Sequence, residues 1–133
     1  MILADTSVWI DYLNGNNNVY TNTLDAAIVE GTVALGDLIF LEILQGFKSD
    51  KEYNRAKSTL STLDQYEMFG HSMVVKCADK YRILRKKGIA IRRTTDVIIT
   101  SFCIENQFPL LFSDRDFIPF VKELGLVTVL TET

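Results

Sequence analysis

Apolar positions follow two rhythms along this chain. Met1-Ile2-Leu3-Ala4 is a short unbroken apolar run, and from Asp5 the spacing turns helical, with Val8, Tyr12 and Leu13 on one face and Trp9 beside them. The opening therefore reads as strand, Asp5, helix. Asn14 to Asn18 is a polar breaker, and a second helix from about Tyr20 to Glu30 stops at Gly31. Thr32-Val33-Ala34-Leu35 predicts a buried strand, and Gly36-Asp37 opens a third helix, Leu38 to Gln45, closed by Gly46 as its C-terminal cap. Asp50 to Leu63 is amphipathic, and Tyr66-Glu67-Met68-Phe69 is a short candidate strand ending at Gly70. The longest helix is expected from Ser72 to Lys87, with Val75, Ala78 and Leu84 inward and Gly88 as its stop; another runs from about Thr95 to Asn106. Leu110-Leu111-Phe112 is a clear strand, Asp114 starts a short helix to Leu124, and Val127-Thr128-Val129-Leu130 predicts a last strand. Strands joined by helices imply an α/β fold, a three-layer α/β/α sandwich around a mainly parallel sheet of about five strands. With no linker and no internal repeat, residues 1–133 are expected to form one domain.

Composition narrows the class. A chain of 133 residues can bury a real core without disulfides or structural metal, and a hydrophobic share of 47% with two prolines excludes a disordered or low-complexity protein. The N-terminus has no basic leader and meets Asp5 at once, and no apolar run approaches bilayer-spanning length, so a soluble, cytoplasmic protein is expected. Cys77, Cys103 and the single His71 cannot assemble a four-ligand zinc site, and the cysteines read as reduced core residues. The net charge of -3 speaks against nucleic-acid binding through overall charge but leaves room for a local basic face.

Single carboxylates recur at comparable places in this frame. Asp5 and Asp96 stand at helix starts and Asp114 and Asp116 bracket Arg115 after a strand, and helix capping explains each of these cheaply. Capping cannot explain Glu42, which lies inside Leu38-Ile39-Phe40-Leu41-Glu42-Ile43-Leu44 with apolar neighbours on both sides. A buried carboxylate there needs a cation, a partner or a proton, unless it marks the exposed edge of its helix. In open parallel sheets ligands bind beyond the carboxyl ends of the strands, where the strand order reverses. Asp5, Glu42, Asp96 and Asp114 can all reach that crevice. Four clustered carboxylates repel unless a divalent cation sits among them, and oxygen-only ligands suit Mg²⁺ or Mn²⁺. Such a site can polarise a phosphate and activate a water, which is the chemistry of a nuclease.

The segments Asp5-Thr6-Ser7-Val8-Trp9-Ile10-Asp11, Leu41-Glu42-Ile43-Leu44-Gln45-Gly46, Arg85-Lys86-Lys87-Gly88-Ile89-Ala90-Ile91-Arg92, Thr95-Asp96-Val97-Ile98-Ile99 and Ser113-Asp114-Arg115-Asp116-Phe117, in this order and spacing, resemble a PIN-domain ribonuclease of the VapC type, the toxin of a bacterial toxin–antitoxin pair. The resemblance spans nearly the whole chain. It implies a Mg²⁺- or Mn²⁺-dependent endoribonuclease, a homodimer, and a cognate VapB-type antitoxin that occupies the active-site groove. Asp5, Glu42, Asp96 and Asp114 fall on the family's acidic, metal-binding quartet, Asp116 on an accessory acidic position, and Thr6 on a small hydroxyl residue beside the first acid.

Lys80, Arg82, Arg85, Lys86, Lys87, Arg92 and Arg93 are half of the 14 Lys and Arg, with no acid among them. Arg92, Arg85 and Lys86 are the candidate contacts to RNA phosphate; the alternative for the helical ones is a solvated helix end whose cations complement the C-terminus. Trp9 reads as core, while Tyr12 and Phe47 are open between core and base stacking. Other phosphate chemistries fit poorly. A receiver domain ends its first strand in paired acids, a haloacid-dehalogenase-type phosphatase needs a second Asp where Ser7 stands, one histidine excludes a two-histidine ribonuclease, and neither a Walker loop nor a Gly-x-Ser-x-Gly elbow is present. The non-enzymatic alternative is a PIN-like module that binds RNA or protein without turnover.

Overall fold

The computed structural model describes residues 1–130. Four strands, β1 (Ile2–Ala4), β2 (Val33–Gly36), β3 (Asp64–Tyr66) and β4 (Leu110–Leu111), form one sheet in the order β3-β2-β1-β4. Every pairing is parallel, with Ile2 opposite Val33, Leu3 opposite Leu110 and Ala34 opposite Asp64. Between them run α1 (Thr6–Leu13), α2 (Val19–Glu30), α3 (Asp37–Gln45), α4 (Asp50–Leu60), α5 (His71–Lys86) and α6 (Thr94–Asn106); a 3-10 turn (Arg115–Phe117) and α7 (Ile118–Leu124) follow β4. Parallel neighbours need right-handed crossovers. The path from β1 to β2 to β3 moves one way across the sheet and the return from β3 to β4 moves the other, so α1–α4 cover one face and α5–α6 the opposite one. Packing agrees: α1 lies on α2 and α3, α3 on α4, and α5 on α6.

The apolar runs become the buried middle layer. Leu3, Ala4, Leu35, Leu110 and Leu111 are fully buried, and Trp9, Leu24 and Ile39 close over one face as Leu84, Ile99 and Phe102 do over the other. Tyr66, Phe102 and Phe108 meet edge to face, with centroids 5.4–5.9 Å apart, at the β3 side. Gly36 ends β2 where a Cβ would stand 2.1 Å from Met68 Sδ, so the buried Met68 side chain fills the space that any larger residue here would need. Asp37 Oδ1 ties the same corner by accepting the Met68 amide at 3.0 Å.

Several details depart from the sequence expectation. The third strand lies at Asp64–Tyr66, so Glu67 to Phe69 already leave the sheet. The fifth strand, Val127 to Leu130, is reduced to a single parallel bridge between Thr128 and Leu110, and the Thr128 hydroxyl donates to the Leu130 carbonyl. Gly46 caps α3 in the right-handed region, at φ -79, so no left-handed cap is needed there. Val75 and Ala78, expected inward with Leu84, are instead exposed, and so is Leu13 at the end of α1. The second helix begins one residue early because Asn18 and Thr21 form a reciprocal capping box. Among the described residues no helix is long and apolar enough to cross a membrane.

Candidate active site

The strand order reverses between β1 and β4, and the acids gather there. The Asp5 amide donates to the Leu111 carbonyl at 2.9 Å, pinning the first acid to the seam of the two strands. Its side chain does not cap α1. The residue is 4% exposed, and Ser7 Oγ donates to its Oδ2 at 2.9 Å. Burial holds the Asp5 carboxyl above the usual range; the Ser7 hydroxyl and the nearby Thr6 and Ser7 amides pull the other way, and the Glu42 charge adds to the rise.

Asp96 stands in the first turn of α6 yet caps nothing: the N-cap residue is Arg93, and the carboxylate of Asp96 turns inward to 3% exposure. Arg93 Nε donates to Asp96 Oδ2 at 3.2 Å while Nη2 of the same guanidinium donates to Asp114 Oδ2 at 2.8 Å. Burial raises the Asp96 pKa to about 6 against the pull of Arg93, and the charges of Asp5 and Asp114 contribute to the rise. Asp114 serves twice, its Oδ1 accepting the Asp116 amide at the 3-10 turn while Oδ2 faces Arg93. Glu42 is half-buried rather than enclosed by apolar neighbours, and Thr6 Oγ1 donates to its Oε1 at 2.9 Å. A chain of contacts and fields thus joins Thr6, Glu42, Asp5, Asp96, Arg93 and Asp114. Asp116 lies outward of it and pairs with the exposed Arg92 at 3.4 Å.

Most of the basic stretch has acidic partners that the linear sequence hides. Lys80 pairs with Glu105, Lys87 with Glu123, Arg92 with Asp116, and Arg93 with Asp96 and Asp114. Arg82, Arg85 and Lys86 form no ion pair among the described residues. Arg92 borders a cavity of about 110 Å³ with Asp96, Arg115 and Asp116 over a floor of Leu84 and Phe120. Arg85 lines a different groove, with Phe69, Val74 and Tyr81, so the structure separates it from Arg92. Trp9 is core at 1% exposure. Tyr12 is committed to a hydrogen bond with Asp25 at 2.7 Å, and Phe47 packs half-buried beside Ile10 and Ile43. Cys103 is buried, and its thiol is pushed up to about 12 by burial and by Asp5, which makes it inert.

Two participants escaped the sequence reading: Arg93, counted only within a charge run, and Ser7, which orients Asp5. The signal for Arg93 was its place three residues before Asp96 at a helix start, a spacing that lets the side chains meet. As a donor set, four carboxylates with hydroxyl support suit a hard divalent cation in type and charge. Among the described residues no three His, Cys, Asp or Glu side chains stand together as a ready metal-holding group. Arg93 supplies the positive charge between two of the acids.

The raised carboxyls set a pH dependence opposite to the common one. With a folded value of about 6 against 3.8, Asp96 holds its proton more tightly in the folded chain than in the unfolded one. Its contribution to stability is full at acid pH and is lost as pH rises from about 4 to about 6, by about 3 kcal/mol. Asp96→Asn should remove that loss. Denaturant midpoints of both proteins at pH 4.5 and 7.0, in chelator, check it: the variant gains on the wild type at the higher pH, and a gap that stays constant would show Asp96 ionised throughout.

A family model described as the PIN domain matches residues 2–121. The chain is 24% identical over 119 residues to the VapC ribonuclease Mb1587 of Mycobacterium bovis and equally to ribonuclease VapC11 of Mycobacterium tuberculosis, covering 88% of this chain and 89% of each relative. Its fold is similar to the crystal structure of VapBC2 from Rickettsia felis bound to a DNA fragment from their promoter, with a TM-score of 0.77 at 19% identity over 99% of this chain and 100% of that one. It is also similar to FitAcB from Neisseria gonorrhoeae, with a TM-score of 0.70 at 19% identity over 98% and 97% of the two chains.

Proposed function

The chain belongs to the PIN-domain family, and from that membership and its acid cluster we propose a Mg²⁺- or Mn²⁺-dependent endoribonuclease that acts as the toxin of a toxin–antitoxin pair. The observation that supports this reading is that buried Asp5 and Asp96 lie within electrostatic reach of each other at the reversal of strand order, with Glu42 acting on the first and Asp114 on the second. The ribonuclease names of the relatives support it. Asp5, Glu42, Asp96 and Asp114 would hold the cation, which when bound supplies a Lewis acid and an activated water. The chain's own residues do the positioning. Ser7 fixes the Asp5 carboxylate and Thr6 fixes Glu42, while the exposed Arg92, beside the cavity at Asp96, contacts a neighbouring RNA phosphate. Arg85 and Lys86 add phosphate affinity at a greater remove.

A cytosolic ribonuclease with an open site endangers its own cell, so a VapB-type antitoxin is part of the proposal, and the VapBC2 complex of the structural relative supports it. The homodimer is supported by the apolar side chains Val74 and Tyr81, which α5 leaves exposed. The test is cleavage of transcripts by nuclease-free protein. Cutting should require added Mg²⁺ or Mn²⁺ and stop with chelator; equal cutting in chelator would overturn the metal reading, and RNA bound but left intact would favour a non-catalytic module.

A further inference from the structure

One guanidinium spans the acid cluster. Arg93 donates to Asp96 at 3.2 Å and to Asp114 at 2.8 Å, and the charge of Asp5 also acts on it. The asymmetry of exposure matters: the Arg93 side chain is 49% exposed whereas that of Asp96 is 4% exposed. The arginine therefore reaches in from solvent to a fixed, buried acid and has open space to swing back into. Arginine carries only donors and cannot share a carboxylate cluster as a ligand. Its single charge also leaves the cluster under-neutralised, since Asp5, Glu42, Asp96 and Asp114 bring four carboxylates.

We propose that Arg93 is the in-chain counter-cation of this site, holding the place of the divalent metal in the metal-free protein and surrendering Asp96 and Asp114 as the metal loads. The inference rests on the metal reading above and deepens it: Arg93 sets the metal concentration at which the site fills. Removing the guanidinium removes a competitor, so it tightens metal binding while weakening the metal-free fold. By linkage the two effects are equal and opposite parts of one coupling. An arginine with only a structural role would weaken the fold with and without metal alike, and would leave metal affinity unchanged.

The test is calorimetric titration of the full chain with Mn²⁺, joined to thermal denaturation in chelator and in saturating Mn²⁺, for wild type, Arg93→Gln and Arg93→Lys. Arg93→Gln should bind Mn²⁺ about tenfold tighter, melt lower than wild type in chelator, and regain the difference in Mn²⁺. Arg93→Lys, which keeps the charge but cannot bridge two carboxylates by a fixed fork, should lie between them and remains informative if the glutamine variant fails to fold. Wild type binding Mn²⁺ with an affinity that neither variant improves would overturn the role of Arg93 and leave the metal site standing. Absence of Mn²⁺ binding in every protein would overturn both.

Discussion

Asp5→Asn and Asp96→Asn are each expected to yield a folded protein in which RNA cleavage falls by about 10²-fold or more. Both side chains are buried, and both carboxyls are held above the usual range chiefly by burial. Ionising either one therefore carries a desolvation cost that an amide of the same shape does not incur. Asn keeps an oxygen for the Ser7 hydroxyl at the first position and for Arg93 at the second, so the local geometry survives. What is lost is the anionic charge that would hold a divalent cation and balance Arg93. Cleavage rates at saturating Mg²⁺, measured beside melting temperatures, separate the two consequences. Undiminished cleavage by either variant would remove that residue from the site, and a collapse of the fold would mean that its charge serves the structure instead.

The second large effect concerns the partner. If a cognate antitoxin inhibits by placing an Arg or Lys among the carboxylates, then the catalytic acids are also its anchor. Truncating one side of a desolvated charge contact costs about 2–5 kcal/mol, so Asp5→Ala and Asp96→Ala should weaken the antitoxin's isolated basic tail strongly. Added Mg²⁺ should compete with that tail on the wild type. Arg93 sharpens the expectation, because the incoming cation has to displace a resident one that already bridges Asp96 and Asp114. Calorimetry of the tail on wild type and both variants, with and without Mg²⁺, measures this; unchanged affinity throughout would place inhibition on another surface.

Much of this arrangement was legible in the letters because strong local signals coincided with it. An apolar run ending at Asp5 marks a central strand with an acid at its end, and Leu110-Leu111 does the same near Asp114. Glycine at left-handed helix ends, Gly31 and Gly125, located the stops of α2 and α7. What the letters could not show is competition between partners. Val127 to Leu130 has strand chemistry, yet it joins the sheet by one bridge, from Thr128 to Leu110. Lys80 and Lys87 looked like members of an unpaired basic stretch until Glu105 and Glu123 arrived from α6 and α7. Glu42 looked enclosed because its sequence neighbours are apolar, whereas its neighbour in space is the Thr6 hydroxyl. Arg93 had the same fault in reverse: its sequence context advertised solvent and phosphate, and its side chain turned to two acids.

The placement of β1 between β2 and β4 has a consequence in time. Asp5 is translated well before Asp114, which shares its crevice. At roughly 5–20 residues per second the interval between them is on the order of 5–20 s. Through that interval β1 lacks one of its two neighbouring strands, and Arg93 has at most one of its two carboxylate partners. Until Asp114 has been added, a nascent chain therefore carries no assembled acid cluster. Whatever chemistry the site performs begins only once its own template has been read at least as far as Asp114.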